Sequence, residues 1–331
     1  MLKNKKAQMF ILMALAIAGI LAISFGMYSF SDNRTAINQR VNTMNSFLNS
    51  IEHDLSRQMY VVASRTLFVA ETDILTKRCV AYYLGDNKGE CIIDPNPLYI
   101  LLNETFFDNS TMNNEDLMFG VRRIDLFDTN LDSVNKRAAE LNINIDTCPS
   151  ASSPATPSPG DCNYELTVDQ IDPWHIRIIF EFDLVMSDNS SLASWDKRER
   201  IVTLLPVSGL YDPLYILKTS SNGGKIVQAS APNLANMSQG YYWNNTDAPS
   251  FLDRLAGRTS PSPQTIGNNT GIERFIIKTE LPAGDIRNID KSIIDHIYFG
   301  DENPPASCPV PGKETWFKLD AEHAAYYDIN C

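Results

Sequence analysis

Residues 172–208 read DPWHIRIIFEFDLVMSDNSSLASWDKRERIVTLLPVS. Ile176, Ile178, Phe180, Phe182, Leu184 and Met186 fall on every second position, the period of a strand with one buried face. Ile201, Thr203, Leu205 and Val207 repeat the pattern after the turn-like Ser187–Ser194. The spacing predicts a long antiparallel hairpin of 174–187 and 198–208, with Arg177, Glu181 and Asp183 turned to water. Asp172-Pro-Trp174 leads into it and Tyr211-Asp-Pro-Leu214 leaves it. An antiparallel sheet is therefore the expected centre of an α+β head.

Upstream the pattern changes period. Met9–Tyr28 (MFILMALAIAGILAISFGMY) carries no charge and follows Lys3, Lys5 and Lys6. A helix of that length spans about 30 Å, a bilayer core. Ser31–Arg78 then continues without Pro or Gly. Within it Ile37, Val41, Met44, Leu48, Ile51 and Leu55 step by 4-3-4-3-4, a heptad seam. That seam serves either packing on the chain's own head or association with other copies. The expected organisation is a leader at 1–8, a transmembrane helix at 9–30, an amphipathic stalk helix at 31–78 and an extracytoplasmic head at 79–331. By the positive-inside rule the N-terminus is cytoplasmic and the head extracellular, in a single-pass protein of the cell membrane with lipid as a partner.

The 40 acidic residues against 28 basic ones give a net charge of −12, which argues against a nucleic-acid partner. Six cysteines (Cys79, Cys91, Cys148, Cys162, Cys308 and Cys331) form no CxxC. Six allow fifteen pairings; the sequential one, 79–91, 148–162 and 308–331, closes three short loops and predicts a disulfide-stapled head. Pro149–Asp161 is a Pro-, Ser- and Ala-rich insert that builds no core. Sequons at Asn33, Asn103, Asn109, Asn189, Asn236, Asn244 and Asn268 are candidate glycosylation sites. Ser250–Ala256 reads as a short helix stopped by Gly257, and Leu131–Leu141 as another, capped by Asn130 or Asp132. Arg274–Thr279 and Ser292–Phe299 read as strands.

The chain has no GxSxG, HExxH, P-loop or GxGxxG motif. Of four histidines, His296 follows Asp295 and His323 follows Glu322; neighbours on a strand point to opposite faces, so neither is a dyad. His53 lies among Glu52, Asp54 and Arg57 on a charged helix face. The expectation is no catalytic residue, no metal and no cofactor.

Lys5-Lys6-Ala7-Gln8 before an apolar helix resembles the class III, prepilin-type signal of archaeal pilins. The resemblance implies cleavage between Ala7 and Gln8 with the helix retained. Ala7 stands where Gly is commoner, and Leu12 where such pilins carry Glu. Further pieces are Asp172-Pro-Trp174, Gly209-Leu-Tyr-Asp-Pro-Leu-Tyr215, Phe251-Leu-Asp-Arg-Leu-Ala-Gly257, Gly271-Ile-Glu-Arg-Phe275 and Asp295-His-Ile-Tyr-Phe299. They resemble uncharacterised archaeal surface proteins with a prepilin-like N-terminus and an α+β head, which implies architecture and no activity. The expected function is a non-enzymatic pilin-like subunit or membrane-anchored adhesin, self-associating through the stalk. The alternatives are a signal-anchored binding or sensing domain and, after it, a surface hydrolase.

Overall fold

A computed structural model describes residues 5–77, 82–83, 90–91, 98–99, 102, 128–146, 164–189, 193–219, 223–281, 291–300 and 306–330. The chain is a mixture of helix and antiparallel sheet. It opens with α1, Lys5–Lys77, one helix of 73 residues and about 110 Å at helical rise. The strands Tyr82–Tyr83 (β1) and Glu90–Cys91 (β2) pair antiparallel. Then come α2 (Asp128–Glu140) and the four strands of the main sheet: β3 (Ile143–Asp146), β4 (Glu165–Asp172), β5 (His175–Asp188) and β6 (Ser194–Pro206).

β5 is the spine of that sheet. β6 pairs along its whole length, from His175↔Pro206 to Ser187↔Ser194. The opposite edge is shared: β4 covers it from Glu181 to His175, and β3 covers Val185–Asp188. Ile176, Ile178, Phe180, Phe182, Leu184 and Met186 are all buried on one face. Arg177, Glu181 and Asp183 lie on the other, where Arg198 reaches Glu165, Glu181 and Asp183 at 3.2–3.4 Å. The turn Pro173-Trp174 is tight because the Asp172 carboxylate accepts the Trp174 N–H at 2.7 Å.

The buried face is covered by α1. Met44, Phe47, Leu48, Ile51, Met59, Val62, Ala63 and Leu67 are buried against the strands. Polar contacts fix the helix in place: Thr203 Oγ1 donates to the Ser56 carbonyl at 3.2 Å, and Arg40 donates to the Leu141 carbonyl at 3.1 Å.

From 207 onward the elements are short: α3 (Pro213–Lys218), α4 (Leu234–Met237), β7 (Trp243–Asn244), α5 (Phe251–Leu255), α6 (Pro263–Asn268), β8 (Ile272–Glu273), α7 (Asp295–Phe299), β9 (Cys308–Pro309), β10 (Lys318–Leu319) and α8 (Ala321–Tyr326). β7 pairs β8 and β9 pairs β10. A second apolar cluster of Phe275, Ile293, Ile294, Val310, Phe317, Leu319 and Tyr327 holds the last of these together.

Several expectations are corrected. Among the described residues no helix is long and apolar enough to cross a membrane. A membrane-spanning helix at 9–30, and with it a single-pass placement in the cell membrane, does not hold. Nor is the three-disulfide stapling seen among the described residues: Cys308 is buried and disulfide-bonded, while the side chains of Cys79, Cys91, Cys148, Cys162 and Cys331 lie outside them. Packing and buried ion pairs also hold the described head. Ser292–Phe299, read as a strand, is helical from Asp295, because its chain turns to bond Tyr298 N–H to the Ile294 carbonyl at 2.8 Å. Arg274–Thr279, also read as a strand, forms no regular strand: its one β-bridge is Phe275↔Ile294, ahead of a 3-10 turn.

Candidate functional site

The polar centre of the C-terminal part is assembled from pieces far apart in sequence. Asp212 caps α3 by accepting from Leu214 N–H, and its other oxygen meets Arg254 at 2.6 Å. Arg254, on α5, also meets Asp295 at 2.7 Å and donates to the Ile272 carbonyl. All three side chains are fully buried. Two carboxylates around one guanidinium keep it charged against the cost of burial, and its pKa is raised. Tyr242 O–H donates to Asp212 at 2.7 Å. Arg274 donates to the Tyr215 hydroxyl at 2.9 Å, with its guanidinium 4.3 Å from that ring's centroid, and pairs with Glu280.

Beside this lies a second cluster: Glu273 on β8, His296 on α7 and His323 on α8. Gly271 sets β8 in place, since a Cβ there would sit 2.1 Å from the carbonyl oxygens of Ala248 and Asn245. Asp295 N–H is bonded to the Arg274 carbonyl, which ties α7 to β8. Asp320 caps α8 by accepting from His323 N–H at 2.9 Å, so His323 sits one turn in with its ring against the capping carboxylate.

Glu273 Oε2 is 3.2 Å from His296 Nε2, 3.3 Å from His323 Nε2 and 2.9 Å from Asn245 Nδ2. Its Oε1 accepts from Tyr327 O–H. His323 Nδ1 is 2.9 Å from both Asp320 oxygens, one of which accepts from Ser292 Oγ at 2.8 Å. Glu273 is fully buried, His296 and His323 nearly so. Burial opposes the Glu273 charge, yet the two histidines hold its pKa well below the carboxylate range. Burial likewise opposes a charged His323, but Asp320 and Glu273 push it up to about 10. Asp320 falls to about 2, its burial outweighed by His323 and Ser292. Burial and the neighbouring Glu273 raise Tyr327. One carboxylate oxygen and two imidazole nitrogens thus converge, with all donor atoms within 4.8 Å of one another, a set that can hold a metal ion.

The residues singled out in the sequence fall elsewhere. Ala7 and Gln8 are in α1, with side chains outside the described set. In the seam, Met44, Leu48 and Ile51 are buried, Leu55 packs on the same core, Val41 is half-buried and Ile37 is 39% exposed. His53 is exposed. Asn103, Asn109 and the 149–161 insert lie outside the described residues, as does the side chain of Asn33. Asn189 is exposed, Asn244 half-buried in β7. The amide nitrogens of Asn236 and Asn268 donate to the Ala231 and Gln170 carbonyls at 3.0 and 3.2 Å.

Sequence reasoning passed over the Glu273 cluster. The acids beside His296 and His323 in sequence are not the partners of their rings; those partners are Glu273, 23 and 50 residues away, and Asp320, three residues before His323. The spacing of Asp320 and His323 at a helix start was the one local signal. Residues from four of the short pieces meet here: Asp212, Tyr215, Arg254, Glu273, Arg274, Asp295 and His296 all lie in these networks, while Asp172-Pro-Trp174 lies apart in the sheet turn. The chain matches no family profile, no curated protein and no solved structure.

Proposed function

We propose that this protein is a non-enzymatic structural subunit of pilin-like construction, assembling with further copies of itself through the N-terminal part of α1. One observation carries the reading. Met13–Met27 is exposed throughout, with Leu15 and Ile20 near 65% and Phe25 at 75%, although it holds no charged residue. The same helix beyond residue 43 is one-sided and already covered by the chain's own sheet. An all-round apolar helix needs neighbours on several sides. Ala14, Ala16, Ala18, Gly19 and Ala22 leave room for helices to approach closely, and a Cβ at Gly19 would meet nothing within 4 Å. The same segment of other copies fits that demand.

Sedimentation of the full chain over a hundredfold concentration range, with electron microscopy of the product, tests this. Defined oligomers or filaments are expected, and they are lost on replacing both Leu15 and Ile20 by Asp while the head keeps its melting temperature. A chain that stays monomeric throughout overturns the reading. Intact mass from the native source tests processing, with a mature start at Gln8 expected. A binding role for the head is a second reading. It is favoured by a cavity of about 330 Å³ lined by Gln170, Asp253, Arg258, Ser262 and Thr265.

A further inference from the structure

We propose that Glu273, His296 and His323 bind one divalent transition-metal ion of the zinc class, in a buried site that ties β8, α7 and α8 together. Two imidazoles and a carboxylate are a borderline donor set, suited to zinc and cobalt(II) and poorly suited to calcium or magnesium, which take oxygen. Bonds of about 2.0–2.1 Å in a tetrahedron put ligand atoms about 3.3 Å apart. Glu273 Oε2 lies 3.2 and 3.3 Å from the two Nε2 atoms, so two edges of that tetrahedron already have the right length.

The surroundings are those of a ligand shell. A metal-bound histidine fixes its tautomer by donating its other N–H to a carboxylate. His323 Nδ1 has Asp320 at 2.9 Å for that purpose, and Asp320 is itself fixed by Ser292 and by the backbone of α8. Glu273 is held by Asn245 and Tyr327. All three ligands are buried, so a bound ion would be shielded from bulk water. Three protein ligands leave one position for water. Such an ion would join three segments that share little regular structure, where zinc contributes most to a fold.

The same distances serve a hydrogen-bonded ion-pair network, and experiment separates the two. The full chain is stripped with EDTA, dialysed and titrated with Co(II), then with Zn(II). One Co(II) per chain is expected, with visible absorption of four-coordinate intensity, displaced by Zn(II). His296→Gln and His323→Gln each weaken uptake by at least roughly 100-fold, while Glu314→Gln, on the exposed surface, leaves it unchanged. Zinc-edge X-ray absorption of the wild type shows two imidazole nitrogens and carboxylate oxygen in the first shell, and needs no variant to fold. Absence of stoichiometric uptake by folded wild-type chain overturns the proposal and leaves a buried ion-pair network only. So does undiminished uptake in both histidine variants, or a first shell without imidazole. None of these outcomes depends on self-assembly.

Discussion

The sheet region and the region after residue 207 solve the same problem by different physics. In the sheet, β5 and β6 bury alternating apolar side chains under α1, and most of their charges stay on the outer face in water, Asp188 and Glu199 being the buried exceptions. After 207 the elements are two to six residues long, and Arg254, Asp212, Asp295, Glu273 and His323 sit inside. A periodic face tolerates any residue of about the right size and polarity. A buried ion pair tolerates almost nothing, because the survivor of a broken pair is an uncompensated charge. The first region is specified by pattern, the second by particular partners.

The sharpest way to break that contrast is Arg254→Met. It leaves Asp212 and Asp295 buried without their cation, and a loss of about 3–5 kcal/mol is expected in urea unfolding. A loss below about 1 kcal/mol would place the C-terminal region with the sheet, held by shape alone.

Glu71 probes the join between the two regions. It lies on α1 and accepts Tyr211 N–H at 2.8 Å. Burial raises its pKa from 4.5 to about 7, against the opposing pull of Tyr211 and Lys225. Between those values the folded chain keeps a proton that the unfolded chain has lost, so this group makes stability fall as pH rises from 4.5 to 7. Glu71→Gln should remove that slope and add ~1–3 kcal/mol above pH 7, read from melting curves at pH 5 and 8. An unchanged slope would mean that the carboxylate is solvated.

The smallest effect belongs to the outer face. Arg198 bridges three carboxylates but is 37% exposed. Arg198→Ala should cost less than about 1 kcal/mol, and salt should erase the cost. A larger loss, surviving high salt, would show that partner-specific charge also specifies the sheet.

The contrast also explains what could be read from sequence. The β5 face was legible because alternation from Ile176 to Met186 is a local signal, and the helix at Phe251–Leu255 because Ser250 caps it and Gly257 turns with φ +73°. β4 was missed, since Leu166 and Val168 are too few to establish a period beside polar Asp169 and Gln170. The Ile-rich 292–299 run looked like a strand, but its end is set by Arg254 pulling on Asp295, a long-range cause. The Glu273 cluster was illegible for the same reason: its members become neighbours only through the fold. The spanning helix was misread in the other direction, from an apolar run whose charge-free character says nothing of what covers it.

One more consequence follows from α1 being a single uninterrupted helix. Each residue turns a helix by about 100° and advances it about 1.5 Å. The linking stretch between Met27 and Met44 is therefore a phase-setting shaft: its residue count fixes the azimuth at which the head faces outward from the apolar stem. Inserting one alanine there would swing every head by more than a quarter turn while leaving each head's own packing intact. Deleting seven residues would nearly restore the angle and shorten the shaft by about 10 Å. Chain length in this stretch is an angular coordinate, and a lattice built from these stems would register a change of one residue as a change of symmetry.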